Sequence, residues 1–170
     1  MLIIITINKM DRCSLAAKEG NLEALKLARK DGCPWNDNIT LVAADKGHLE
    51  ILKWARENGC SWHICVCTAA AAKGHLDVLK WARENDCPWD ERTCTFAAYH
   101  GHFDVLKWAR ANGCCWDKWT CDAAARQGHL EILKWLRAND CPWNKSTYTH
   151  CLRNGRTEIV QWLRENGYSE

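Results

Sequence analysis

This chain has almost no excess of charge: 23 Lys and Arg stand against 21 Asp and Glu, a formal net charge of +2 over 170 residues. Such a balance supplies no long-range field to draw in nucleic acid or an anionic membrane, so any electrostatic preference has to be local. Long apolar runs are also missing. The segment MLIIITINKM at the N-terminus falls far short of the roughly 20 residues that cross a bilayer. It has no basic region before it and no small-residue cleavage pattern after it, so we expect residues 1–10 to be a cap rather than a leader or anchor. Motifs of the common catalytic classes are absent too, with no G-x-S-x-G, no phosphate loop, no H-E-x-x-H and no asymmetric set of carboxylates. No C-x-x-C pair marks a metal site.

What the chain has in quantity is repetition. Gly20, Gly47, Gly74, Gly101, Gly128 and Gly155 are spaced by 27 residues, and most open a version of GHLEILKWARENGC, residues 47–60. A fixed period of this size means stacked supersecondary units, none able to bury its apolar face alone. Copies argue against catalysis, because an active site needs one special place. We therefore read residues 11–170 as a single solenoid of about six repeats, not an enzyme.

Within one unit, LDVLKWARENDC (76–87) sets Val78, Leu79, Trp81 and Ala82 on a wide apolar arc, with Asp77, Lys80 and Glu84 on the other side; this is a helix. Acid in its first turn, arginine in its last and Asn-Gly or Asn-Asp after it fit the helix dipole and a C-terminal stop. A Cys-Pro-Trp-Asp segment (87–90) follows, whose acid can cap a second, shorter helix, ERTCTFAAY (91–99). Its narrow stripe of Cys94, Ala97 and Ala98 allows close packing against neighbours.

These residues resemble the ankyrin repeat, strongly at Gly-His-Leu-Glu and at paired alanines such as Ala43-Ala44, Ala70-Ala71, Ala97-Ala98 and Ala124-Ala125. The unit is shorter than the family's usual ~33 residues, and the residues that would build its projecting β-hairpin are the ones missing. The resemblance implies an all-α, right-handed, ankyrin-like solenoid with shortened or absent hairpin fingers. It is similar to arrays abundant in large DNA viruses of protists and in some algae and oomycetes. It also implies protein binding, with no cofactor, no small-molecule substrate and no membrane.

Several constellations have two readings each. Twelve cysteines follow the repeat: Cys33, Cys60, Cys87, Cys114 and Cys141 share one register, and Cys13, Cys67, Cys94 and Cys121 another. Equivalent positions on packed helices stand about 8 to 10 Å apart, beyond the roughly 7 Å a disulfide allows, so we read them as reduced, buried side chains in a reducing compartment, the cytoplasm. His48, His75, His102 and His129 are separated by whole repeats, too far apart to share a metal, and we expect turn histidines bonding nearby backbone. Cys60, His63, Cys65 and Cys67 cluster locally, but two of them belong to the buried ladders. Two tryptophan ladders, Trp54 to Trp162 and Trp35 to Trp143, read as core filling. The six arginines from Arg29 to Arg164 look like a phosphate ladder, yet at 100° per residue Arg83 and Arg110 project into the packed arc, Arg110 beside Phe103 and Leu106. Their heads should then reach a helix C-terminus or a tryptophan face, which argues against nucleic-acid binding.

Variation between copies separates scaffold from display. On the shorter helix the variable positions share one face: Asn38, Leu41, Asp45; Cys65, Thr68, Ala72; Arg92, Thr95, Tyr99; Trp119, Asp122, Arg126; Ser146, Thr149, Arg153. The family resemblance adds the residues before each turn glycine, among them His100 and Gln127. Trp119 stands outside both tryptophan ladders and is expected to reach solvent. The candidate partner-binding set is therefore Arg92, Thr95, Tyr99, His100, Trp119, Asp122, Arg126, Gln127 and Arg153, facing a protein with an acidic patch. A virion or assembly component is the alternative function.

Overall fold

The computed structural model describes residues 9–143 and 146–167. The proposed N-terminal cap lies outside the described residues over 1–8, as do residues 168–170. Twelve helices, and no strand among the described residues, form six pairs. The pairs are α1 (Lys9–Glu19) with α2 (Leu22–Lys30), α3 (Asn38–Lys46) with α4 (Leu49–Glu57), and α5 (Val66–Lys73) with α6 (Leu76–Glu84). They continue with α7 (Glu91–His100) and α8 (Phe103–Ala111), α9 (Lys118–Gln127) and α10 (Leu130–Ala138), α11 (Ser146–Arg153) and α12 (Thr157–Glu165). The odd-numbered helices pack side by side in sequence order, and each even-numbered helix packs on its own odd partner. The result is a two-layer α-solenoid whose units contact their neighbours.

Sequence had suggested that the alanine-bearing helix is the shorter of the two. The two kinds differ little in length, with nine residues in α3 and in α4, eight in α5 against nine in α6, and ten in α7 against nine in α8. What differs is the width of the buried arc. In α7 the fully buried set is Thr93, Cys94, Ala97 and Ala98, small enough for α5, α7 and α9 to lie closely side by side. In α6 the buried residues are Val78, Leu79 and Ala82, with Trp81 half-buried and Asp77, Lys80 and Glu84 exposed. Burying one such leucine contributes about 1.5–3 kcal/mol.

The period-setting glycine and the histidine after it act across repeats. Gly74 ends α5 in the left-handed region at φ +75°, and a methyl group there would come within 2.6 Å of the His102 ring from the following repeat. His102 Nε2 in turn lies 3.2 Å from the carbonyl oxygen of Ala72, thirty residues back. A carbonyl only accepts, so Nε2 carries the proton and donates. The same bond runs from His48 to Lys18, His75 to Asp45 and His129 to Tyr99, while Arg156 replaces histidine in the sixth pair and donates Nε to Arg126 O. The histidines thus do bond backbone, but in the preceding repeat rather than locally. In the first pair the equivalent Asn21 caps its own helix, accepting from Ala24 N at 2.9 Å.

The two tryptophan ladders meet. Trp35 packs on Trp54, Trp62 on Trp81, Trp89 on Trp108 and Trp116 on Trp135, with ring centroids 5.7–6.0 Å apart. They are half-buried at the margin of the core rather than within it. Over each outer ring sits an arginine: Arg29, Arg56, Arg83 and Arg110 stand 4.1–4.5 Å from the centroids of Trp35, Trp62, Trp89 and Trp116. Their Nη1 groups donate to the carbonyls of Cys33, Cys60, Cys87 and Cys114. The arginine heads therefore reach the tryptophan faces foreseen, and carbonyls of the loop after the helix rather than the helix C-terminus itself. Arg110 nevertheless corrects the expectation for its stem: the side chain is exposed, held from above by the Trp116 face rather than packed with Phe103 and Leu106.

A second correction concerns the cysteines. Cys13 and Cys33 form a disulfide with Cα atoms 6.4 Å apart. Spacing within either register does forbid a ladder, but the pairing crosses registers inside one repeat, joining α1 to the loop after α2.

Candidate interaction surface

Each candidate side chain is held by its own local chemistry. Asp90 caps α7 by accepting from Arg92 N at 3.1 Å, and its other oxygen accepts from Arg92 Nε at 2.8 Å. Asp90 raises the already high pKa of that guanidinium further, through this hydrogen bond and its charge. Asp117 caps α9, accepting from Trp119 N at 2.9 Å, with Thr120 completing a capping box. That cap starts the helix one residue before Trp119 and fixes the direction in which its ring leaves the backbone.

Trp119 is 49% exposed, with the Lys118 ammonium 5.3 Å from its ring centroid. On the adjacent α7, Tyr99 and Phe96 are 39% and 40% exposed. Tyr99 stands edge-on to His100 at 4.9 Å, and His100 stacks with Phe96 at 6.4 Å and with His102 at 6.3 Å. Burial, then the neighbouring His102, Lys73 and His129, lower the pKa of His100 and favour its neutral form. Helices α7 and α9 are tied by Thr95 and Thr120, whose hydroxyls are 3.0 Å apart. Arg92, Arg126 and Arg153 are exposed, while Thr95 and Gln127 are half-buried.

Asp122 does not belong on this surface. Only 2% exposed, it accepts from His150 Nδ1 at 2.7 Å and faces Arg126 Nη1 at 3.7 Å. It is a buried clamp between α9 and α11 that positions Arg126. Phe96 was overlooked on sequence, although its register holds Leu15, Val42, Ala69, Ala123 and His150 and varies as much as the positions chosen.

The side chains that cluster in sequence around Cys60 point in different directions. Cys60 Sγ points to Asn36 O, His63 Nδ1 accepts from Cys65 N, and the Cys67 thiol faces Cys87. No three His, Cys, Asp or Glu among the described residues converge on a metal position. None of the described helices is long and apolar enough to cross a membrane.

A two-layer stack of helix pairs with exposed, varying side chains on one layer defines a repeat solenoid built to display a surface. A family model described as ankyrin repeats (many copies) matches residues 67–110 and 121–164, just over half of the chain. The chain belongs to the ankyrin-repeat family. Ankyrin repeats generally mediate protein–protein interaction and the family is generally non-enzymatic. No curated protein matches the sequence.

Proposed function

We propose that this chain is a non-enzymatic protein-interaction module of the cytoplasm, an adaptor, scaffold or host-factor binder that engages its partner through the alanine-helix face of its fourth to sixth repeats. The observation that carries this reading is Trp119. A half-exposed indole with exposed Tyr99 and Phe96 on the next helix has the composition of an interface hot spot, where one truncation commonly costs ~2 kcal/mol or more of binding. Around it Arg92, Lys118, Arg126 and Arg153 are exposed cations. The buried carboxylate of Asp122 orients one of them without presenting negative charge outward. A partner with an acidic patch complements that arrangement. Affinity capture from the native cell followed by mass spectrometry identifies the partner. Trp119→Ala should then weaken it at least tenfold with the melting temperature nearly unchanged; unchanged affinity places the face elsewhere.

A further inference from the structure

Cysteines occur in pairs 20 residues apart in four of the six repeats. Cys13–Cys33 is the disulfide already described. Cys67 and Cys87, Cys94 and Cys114, and Cys121 and Cys141 repeat its two registers after 54, 81 and 108 residues. In each of these pairs the two thiols lie close enough to shift each other's ionisation. Cys67 Sγ also points at Cys87 O at 3.9 Å and Cys121 Sγ at Cys141 O at 3.8 Å. The Cα separation of 6.4 Å in the first pair lies within the range disulfides adopt. All six thiols are buried.

We infer that Cys67–Cys87, Cys94–Cys114 and Cys121–Cys141 are oxidative modification sites: intrarepeat dithiols that a low-molecular-weight disulfide converts to disulfides in the register of Cys13–Cys33. The chemistry is asymmetric within each pair. The loop thiol is the nucleophile: its helix partner and a nearby arginine, Arg83 for Cys87 and Arg137 for Cys141, lower its pKa against the opposing desolvation. The second repeat supplies the contrast. There Thr40 stands in place of the helix cysteine, and burial pushes Cys60 up to about 11.

The exchange balances as follows. When the Cys-Pro-Trp loop opens, the Cys87 thiolate attacks one sulfur of the external disulfide and expels one thiolate, leaving a mixed disulfide on Cys87. Cys67, losing its proton, attacks the Cys87 sulfur and expels the second thiolate. Two electrons pass from the pair to the external disulfide, and the two protons end on the two released thiols. The product closes a ring containing the turn glycine and the whole tryptophan helix. In the fifth repeat it pins α9, which carries Trp119, to the loop at Cys141.

The test uses the full chain incubated with oxidised glutathione, then acid-quenched, alkylated, digested and mapped by mass spectrometry. Exposed Cys115 reports that the oxidant is active by forming a mixed disulfide with glutathione. Linkages at the three pairs, with a rise in melting temperature that dithiothreitol reverses, are expected. Cys87→Ser should abolish only its own linkage, and Thr40→Cys should add a linkage to Cys60. Glutathione on Cys115 with the three pairs unlinked, or linkages scattered between repeats, would overturn the inference. If Thr40→Cys loses helical content, Cys87→Ser decides alone: loss of one linkage with the others kept supports the sites, and scrambling refutes them.

Discussion

The interlock between Gly74 and His102 can be measured by a double-mutant cycle. In Gly74→Ala the residue must still adopt φ +75°, which costs an L-residue about 1–2 kcal/mol. Its new methyl would meet the His102 ring at 2.6 Å, so the ring must move and its bond to Ala72 O is lost, about 1 kcal/mol more. The total is about 2–3 kcal/mol. Gly113 is the control: its φ is +86° but nothing lies within 4 Å of its Cβ position, so Gly113→Ala should cost only the backbone strain, about 1–2 kcal/mol. Nature has run a related comparison, because Asp86 and Asp140 occupy the Gly113 register at φ 60° and 58°. His102→Ala alone should cost about 1–2 kcal/mol through the lost bond and packing. The double variant should be less destabilised than the sum by about 1 kcal/mol, since no ring is left for the methyl to displace. Urea denaturation followed by circular dichroism, with equal slopes across the set, reads all four values. If Gly74→Ala costs no more than Gly113→Ala, or if the cycle shows no coupling, the account of the 27-residue glycine register is wrong.

Three further outcomes are expected. Arg110→Glu should lose about 1–2 kcal/mol, from the cation–π contact with Trp116 and the bond to Cys114 O, whereas Lys107→Glu, whose ammonium lies 4.5 Å over Phe103, should lose about 0.5 kcal/mol; equal losses in thermal denaturation would contradict this. His150→Ala should destabilise by about 2–3 kcal/mol, because Asp122 then keeps a buried charge with Arg126 alone as partner, and Asp122→Asn in the same background should recover part of the loss. Stability should also fall with pH through the ordinary imidazole range: His100 has a lowered pKa when folded, so the unfolded chain takes up the proton first as pH drops. His100→Gln should flatten that slope, and an unchanged slope in pH-dependent melts would reject the assignment.

Much of this protein was determined locally and so could be read from sequence alone. The six glycines, the amphipathic arc of Val78, Leu79 and Ala82, the caps at Asp90 and Asp117 and the paired alanines depend on neighbours within a few residues. A 27-residue period carries that local information into a stack. The exit of Trp119 from both tryptophan ladders was legible by the same comparison of copies, and helical geometry pointed the arginine heads at tryptophan faces. Contacts that join different repeats, or different registers of one repeat, were decided only by tertiary structure. His102 finds its acceptor thirty residues back because stacking brings the end of α5 against the start of α8. Cys13 finds Cys33 because the loop after α2 folds back onto α1. Asp122 is buried because α11 places His150 over it, and Phe96 reaches solvent on a helix whose Cys94, Ala97 and Ala98 are covered. In each case the deciding quantity is a distance between segments that a period along the chain does not contain.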